Sequence, residues 1–244
     1  DNLMLKLMKS HRSIRKFTSQ DISEELITEM LTCAQSASTS SFLQAYSILL
    51  VSPGERRHRL AKLCGDQDYV AQAPVFMVFL ADLHRLKKMC ENHQQPYSGG
   101  WTENLLIATV DAALAAQNTL LAAEALGLGG VYIGGIRNAI GEVTALLQLP
   151  EEVYPVFGLC IGYPDQDPQT KERMPLDLLV HKDVYGEADS QVLAAYDERI
   201  RQYYLDRTKG KISESWSEGV AAKLSKEMRP HMKDYLVSRG FMHR

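Results

Sequence analysis

Near the start of the chain, His11, Arg12, Ser13, Arg15 and Lys16 fall within six residues. An arginine presents a planar fork of donors that fits a phosphate or the polar edge of a ring. A hydroxyl set among cations can serve a polyol. A second pair, Lys171 and Arg173, lies in a proline-bounded stretch, where residues one apart face the same way in extended chain. A third group, Arg207, Lys209 and Lys211 in YLDRTKGK, falls on a glycine-containing turn between helical patterns and suits a mobile anion such as a 2′-phosphate. On spacing alone, each of the three is more simply read as solvated charge.

Other chemistries lack their marks. The run GLGGVYIGG at 127–135 imitates a dinucleotide fingerprint, but the sixth place counted from Gly127 holds Tyr132, and the run follows a helical pattern instead of opening one. Gly134 and Gly135 remain of interest, because backbone without a Cβ can approach a flat ligand closely. A plain tight turn explains them equally well. No phosphate-binding G-x-x-x-x-G-K-[ST], no G-x-S-x-G elbow and no H-E-x-x-H occurs. The four cysteines, Cys33, Cys64, Cys90 and Cys160, form no C-x-x-C pair and have no histidines at zinc spacing, so no metal site is expected. They read as reduced, space-filling thiols of a cytoplasmic protein. An enzyme without a protein nucleophile often borrows its chemistry from a cofactor.

The elements that must position these groups follow from periodicity. Residues 2–9 read as a short amphipathic helix. Ser23 caps a helix that runs to about Ser36, and SASTSS at 36–41 is a polar loop. Tyr46–Val51, Val75–Ala81 and Val156–Ile161 read as buried strands, with a glycine-rich strand or loop at 127–135. Helices are expected at Glu55–Cys64, Trp101–Leu126, Asn138–Leu147, 190–205, 214–227 and 229–239. The polar stretch 83–100 reads as a mobile excursion, and 164–176 as a long connection. Trp101–Leu126 is apolar nearly all round and so a core helix. Its Asp111, Gln117, Asn118 and Glu124 argue against a membrane span. Few strands and many helices give an α+β class. The chain is expected to be one domain over 1–244, with a core of about 1–188 and a helical C-terminal extension of about 189–244. Its length of 244 residues needs no disulfide to hold a core, and a net charge of −3 disfavours nucleic acid as partner. The N-terminal stretch lacks the apolar core of a secretion signal.

Taken together, HRSIRKFT (11–18), SSFLQ (40–44), Gln67 and Tyr69 in GDQDYV, AAEALGLGGVYIGGIRN (122–138), FGLCIGYP (157–164) and EMRPHM (227–232) resemble the bacterial oxygen-insensitive NADPH nitroreductases and NADPH–flavin oxidoreductases, essentially end to end. That resemblance implies the FMN-dependent nitroreductase fold: a central mixed or antiparallel sheet flanked by helices, in a homodimer whose C-terminal helices wrap the partner. It implies non-covalent FMN contacted by His11, Arg12, Ser13, Arg15, Gln67, Tyr69 and the backbone of Tyr132, Ile133, Gly134 and Gly135. Ser40 and Ser41 would come from the facing subunit, and Lys171 and Arg173 would hold the phosphate. Arg15 would stabilise charge at the pyrimidine edge of the reduced ring. NADPH and acceptor would meet Ser41, Phe42, Arg137, Arg207, Lys209, Lys211 and Arg229. The implied reaction is ping-pong, with hydride passing to flavin N5 and two electrons then reaching nitroaromatics, quinones or free flavin. Two departures stand out. Thr39 replaces a serine of the family's run, and Ile212 replaces a frequent basic residue, which weakens the case for NADPH over NADH. A flavin reductase that supplies reduced FMN to a partner, and a flavin-binding module without turnover, are the alternatives.

Overall fold

The computed structural model of the chain describes residues 2–244. Two compact units divide it: one takes in the chain up to Pro168 together with His231–Arg244, the other is Gln169–Pro230.

The first unit is built on four antiparallel strands: β1 (Tyr46–Leu50), β2 (Val75–Asp82), β3 (Gly129–Ile133) and β4 (Val153–Gly162), in the order β1-β2-β4-β3. Side chains alternate across a strand, so β2 feeds two cores. Phe76, Val78 and Leu80 pack with Leu60, Cys64, Val70, Ile136 and Val143, which belong to α3 (Glu55–Leu63), α4 (Asp68–Gln72), α7 (Ile140–Leu146) and the turns beside them. Val75, Met77 and Phe79 pack instead with Met30 of α2 (Glu24–Gln35) and with Ala115, Ala116 and Leu120 of α6 (Thr102–Ala125). Pro155 sits in β4 opposite Leu80, where the ladder shifts register, which is where a strand tolerates a residue without an N–H.

Helix starts follow the caps in the sequence. Asn2 Oδ1 accepts from Met4 N–H at the start of α1 (Leu3–Lys9), and Ser23 Oγ accepts from Leu26 N–H at the start of α2. α6 runs 24 residues, and Gly127, at φ +80°, occupies the left-handed position that ends it. By length and composition α6 could cross a bilayer, yet Asp111 in its middle is fully buried and part of its surface packs on α2 and the sheet.

The stretch 83–100 departs from the expected excursion. It holds α5 (His84–Asn92), and Gly99 and Gly100 are buried beyond it. α5 has no buried residue and no side-chain cap, touching the core only through partly buried Leu86, so the polar composition concealed it. Tyr97 Oη donates to Glu152 Oε1 at 2.7 Å and ties the stretch down. After α11 (Met232–Ser238), Phe241 is buried edge-on against Tyr154, with ring centroids 5.4 Å apart, and Glu152 N–H donates to Arg239 C=O at 2.7 Å.

The second unit contains α8 (Leu176–Leu179), α9 (Ser190–Thr208) and α10 (Trp216–Leu224). Ser215 and Glu218 form a reciprocal capping box at the start of α10. Arg201 of α9 donates to Glu218 at 3.0 Å, and this bond, with help from Ser215, pulls the Glu218 carboxyl down to about 2.

Candidate active site

β3 is an edge strand, and the segment 11–18 runs along part of its outer side. Ile14 N–H donates to Gly130 C=O at 2.9 Å, Thr18 N–H donates to Tyr163 C=O at 2.9 Å, and Phe17 bridges Pro164. Ile14 is buried, and a Cβ on Gly129 would lie 2.6 Å from Ile14 Cγ1, so glycine is what lets the segment close on the strand. Gln166 Oε1 accepts from the backbone N–H groups of Arg15 and Lys16, at 2.5 and 3.0 Å. The backbone N–H groups of Ile14, Arg15, Lys16 and Thr18 thus all help to hold this basic segment.

At its front, His11 Nδ1 pairs with Glu124 near the end of α6, and Arg12 Nη2 pairs with Asp167. Arg12 Nε is buried with no hydrogen-bond partner among the described residues. The Arg15 side chain is exposed and makes no hydrogen bond or ion pair there, and the Ser13 hydroxyl likewise makes no hydrogen bond. Tyr132 on β3 stacks edge-on to Phe157, with centroids 4.9 Å apart, and its hydroxyl donates to Gln117 Oε1 at 3.3 Å. Burial raises the Tyr132 phenol, with Glu124 adding to the effect, so the ring stays neutral.

An antiparallel edge alternates inward and outward peptide groups. Gly130 C=O faces outward to Ile14, so the N–H and C=O of Tyr132, two residues on, face outward too. They have no backbone partner beyond the sheet ladder. The free edge continues into the 3-10 turn Gly134–Arg137. A Cβ on Gly135 would meet the Cys64 carbonyl oxygen and lie 2.7 Å from Gln67 Nε2. Gln67 Nε2 donates to Cys64 C=O, and Tyr69 Oη donates to Gln67 Oε1. The segment 11–15 thus lies against Gly129 and Gly130 at one end of β3, and the Gln67 turn against Gly135 just past the other. Burial pushes the Cys64 thiol beside them up to about 12, which suits a space-filling role and no thiolate chemistry.

The polar loop folds as a 3-10 turn, Ser40–Phe42, ahead of β1. Ser41, Phe42 and Gln44 all have positive φ, between 49° and 57°, and Phe42 is 82% exposed. Arg137 is half-buried: its Nη1 donates to Val156 C=O, and His231 Nε2 pairs with the Arg137 C=O at 2.9 Å.

Within the second unit, Lys171 Nζ donates to Tyr204 Oη and lies 4.5 Å from that ring's centroid, while Arg173 Nη1 donates to Lys171 C=O at 2.7 Å. Arg207, Lys209 and Lys211 are exposed at the end of α9. Lys209 is left-handed at φ 54°, and Gly210 N–H donates to Leu205 C=O at 2.7 Å. Arg207 reaches Tyr203 Oη at 3.5 Å. Arg229 is half-buried with φ 51°. Among the described residues no group of three His, Cys, Asp or Glu side chains could hold a metal. Spacing missed Glu124, Gln166 and Gln117. Glu124 and Gln117 left one trace, as polar residues in an otherwise apolar helix.

Comparison with known proteins accords with this arrangement. Residues 8–163 match the Nitroreductase family, and residues 171–244 match its C-terminal domain. An oxygen-insensitive NADPH nitroreductase of Salmonella typhimurium is 44% identical over 240 residues, covering 98% of both chains. An FMN reductase (NADPH) of Bacillus subtilis is 40% identical over 245 residues, again covering 98% of both. The solved structure of an NADPH:FMN oxidoreductase from Vibrio harveyi, complexed with NAD+, superimposes with a TM-score of 0.92 at 40% identity over the whole of both chains. The α+β fold, the glycine-bearing β3 edge and the end-to-end similarity place this chain in the nitroreductase family.

Proposed function

We propose that the chain is an FMN-dependent oxidoreductase that uses NADPH to reduce nitroaromatics, quinones or free flavin. The observation that carries this reading is the free β3 edge at Tyr132, set between a basic segment and a glycine turn that packs on Gln67. A flat heterocycle with donors and acceptors along one side can hydrogen-bond to such an edge. The fit is supported by atoms that lack protein partners among the described residues: buried Arg12 Nε, the Ser13 hydroxyl and the Arg15 guanidinium.

FMN, when bound, supplies two-electron transfer between NADPH and the acceptor. The chain holds it, with His11, Arg12 and Ser13 for its polar groups, the peptide groups of Tyr132–Gly135 for its ring edge, and Gln67 and Tyr69 across the turn. Lys171 and Arg173 serve the phosphate, Arg207 with Lys209 and Lys211 the 2′-phosphate of NADPH, and Arg137 and Arg229 the rim of the substrate site. Arg15, its backbone N–H held by Gln166, provides a cation that stabilises negative charge as it grows on the ring. Glu124 holds His11 in orientation.

The working unit is a homodimer. Leu106, Val110 and Leu114 follow one another at four-residue spacing on α6, and all three stay exposed, as do Trp101, Phe42 and Leu43 in the same unit. An apolar stripe of this kind suits a second copy, which would bring Ser40, Ser41 and Phe42 to the facing site. A cytoplasmic location agrees with four free cysteines.

Purified protein should be yellow and should bleach anaerobically with NADPH, and a panel of nitro, quinone and flavin acceptors should then restore the colour. Protein that stays colourless and takes up no FMN overturns this reading. Protein that binds FMN but is reduced by neither NADPH nor NADH leaves only the binding-module alternative.

A further inference from the structure

We infer that Asp111 is a positioning residue that holds the 39–45 loop in its working shape. This rests on the proposed function for the loop's purpose, but not for the latch itself. Asp111 is fully buried on α6, and its two carboxylate oxygens accept from opposite ends of the loop: Oδ1 from Ser40 N–H and Oδ2 from Ala45 N–H, each at 3.0 Å. Between these anchors Ser41, Phe42 and Gln44 all adopt left-handed backbone, which residues with a Cβ rarely do. Three such residues in four positions form an arrangement that persists only where its surroundings over-determine it. A weaker staple lies inside the loop, where Thr39 Oγ1 accepts from Gln44 N–H at 3.3 Å. The outcome is a tight finger that turns Phe42 outward, 82% exposed, and presents Ser40 and Ser41 beside it.

Asp111 is the part of this device that a carboxylate alone supplies. Its two oxygens satisfy two backbone donors at once, whereas an amide can accept from one and must turn its own N–H₂ towards the other. Asp111→Asn keeps size and shape and breaks one anchor. Thr39→Val removes the inner staple at a half-buried site, where folding is not at risk.

The test measures amide hydrogen exchange of peptides covering 39–45, alongside steady-state kinetics of the holoenzyme with NADPH and a quinone. In Asp111→Asn the loop amides should exchange about tenfold faster while α6 and the sheet change little. The KM for the quinone should rise several-fold, with kcat at saturating quinone and FMN largely kept. Thr39→Val should move both readouts the same way by less. Unchanged loop exchange in the two variants overturns the latch. So does a uniform rise in exchange across the protein with KM unmoved, which would mark Asp111 as general core support. If wild-type protein shows no NADPH-driven reduction, the proposed function fails by itself, and exchange still decides whether Asp111 holds the loop.

Discussion

Replacing Gly135 by alanine probes the closest approach at the candidate site. The added methyl would press on the Cys64 carbonyl oxygen and sit 3.1 Å from its carbon and 2.7 Å from Gln67 Nε2. Ordinary contact needs about 3.5 Å or more, so the 3-10 turn or the Cys64–Gln67 turn must retreat by roughly an ångström. Overpacking of this sort costs about 1–3 kcal/mol. In a chain of this length each kcal/mol lowers Tm by about 2–4 °C, so the midpoint should fall by about 2–12 °C. Gly141, in the first turn of α7, is the matched control. Its added Cβ meets nothing within 4 Å, and its φ is not left-handed. Gly141→Ala should leave Tm unchanged or raise it, since alanine restricts the unfolded chain at a gain of about 0.4–1 kcal/mol. Thermal melts of both variants by circular dichroism, after bound FMN has been stripped, separate steric cost from cofactor loss. A fluorescence titration should then show FMN bound more weakly by Gly135→Ala alone. Two melting curves that shift together, or a Gly135→Ala melt within a degree of wild type, would refute the argument from close approach.

Arg15→Ala should slow reduction of the bound flavin by NADPH by about 10²-fold, with a smaller loss of FMN affinity, and stopped-flow bleaching at the wild-type rate would remove Arg15 from its role. Arg207→Ala should raise the KM for NADPH by about tenfold and leave NADH within about twofold, while equal effects on the two would show that the α9 end does not read the 2′-phosphate. Val110→Glu places a charge in the exposed α6 stripe and should shift the sedimenting mass from dimer to monomer at micromolar concentration, a result that an unaltered dimer would exclude.

Strong local signals made the framework legible. Ser23 marks the start of α2, the apolar runs of β1, β2 and β4 read as strands, and α6 is long and apolar yet carries Asp111, Gln117, Asn118 and Glu124, which mark it as a core helix. What stayed open or failed were segments whose state depends on a distant neighbour. β3 carries Gly129 and Gly130, poor strand formers, and becomes a strand because β4 offers a ladder. α5 contributes no buried residue: Leu86, Met89 and Cys90 share one face at helical spacing, but the charged residues around them made the stretch read as polar. At the site, charges near in sequence were visible, but their partners were not. Asp111 and Glu124 stood out as polar residues in an apolar helix, yet nothing local says that one reaches Ser40 and Ala45 and the other His11.

The return of the last residues to the first unit has a practical consequence for deletions. Trimming the chain from its C-terminal end would not begin by shaving an appendage. It would first withdraw Phe241 from its place against Tyr154, then the Arg239 carbonyl that Glu152 N–H donates to, then Leu236 from the core beside α6. The second unit is inserted between two parts of the first, so removing it cleanly would require an internal excision from Gln169 to Pro230 and a new junction of Pro168 to His231.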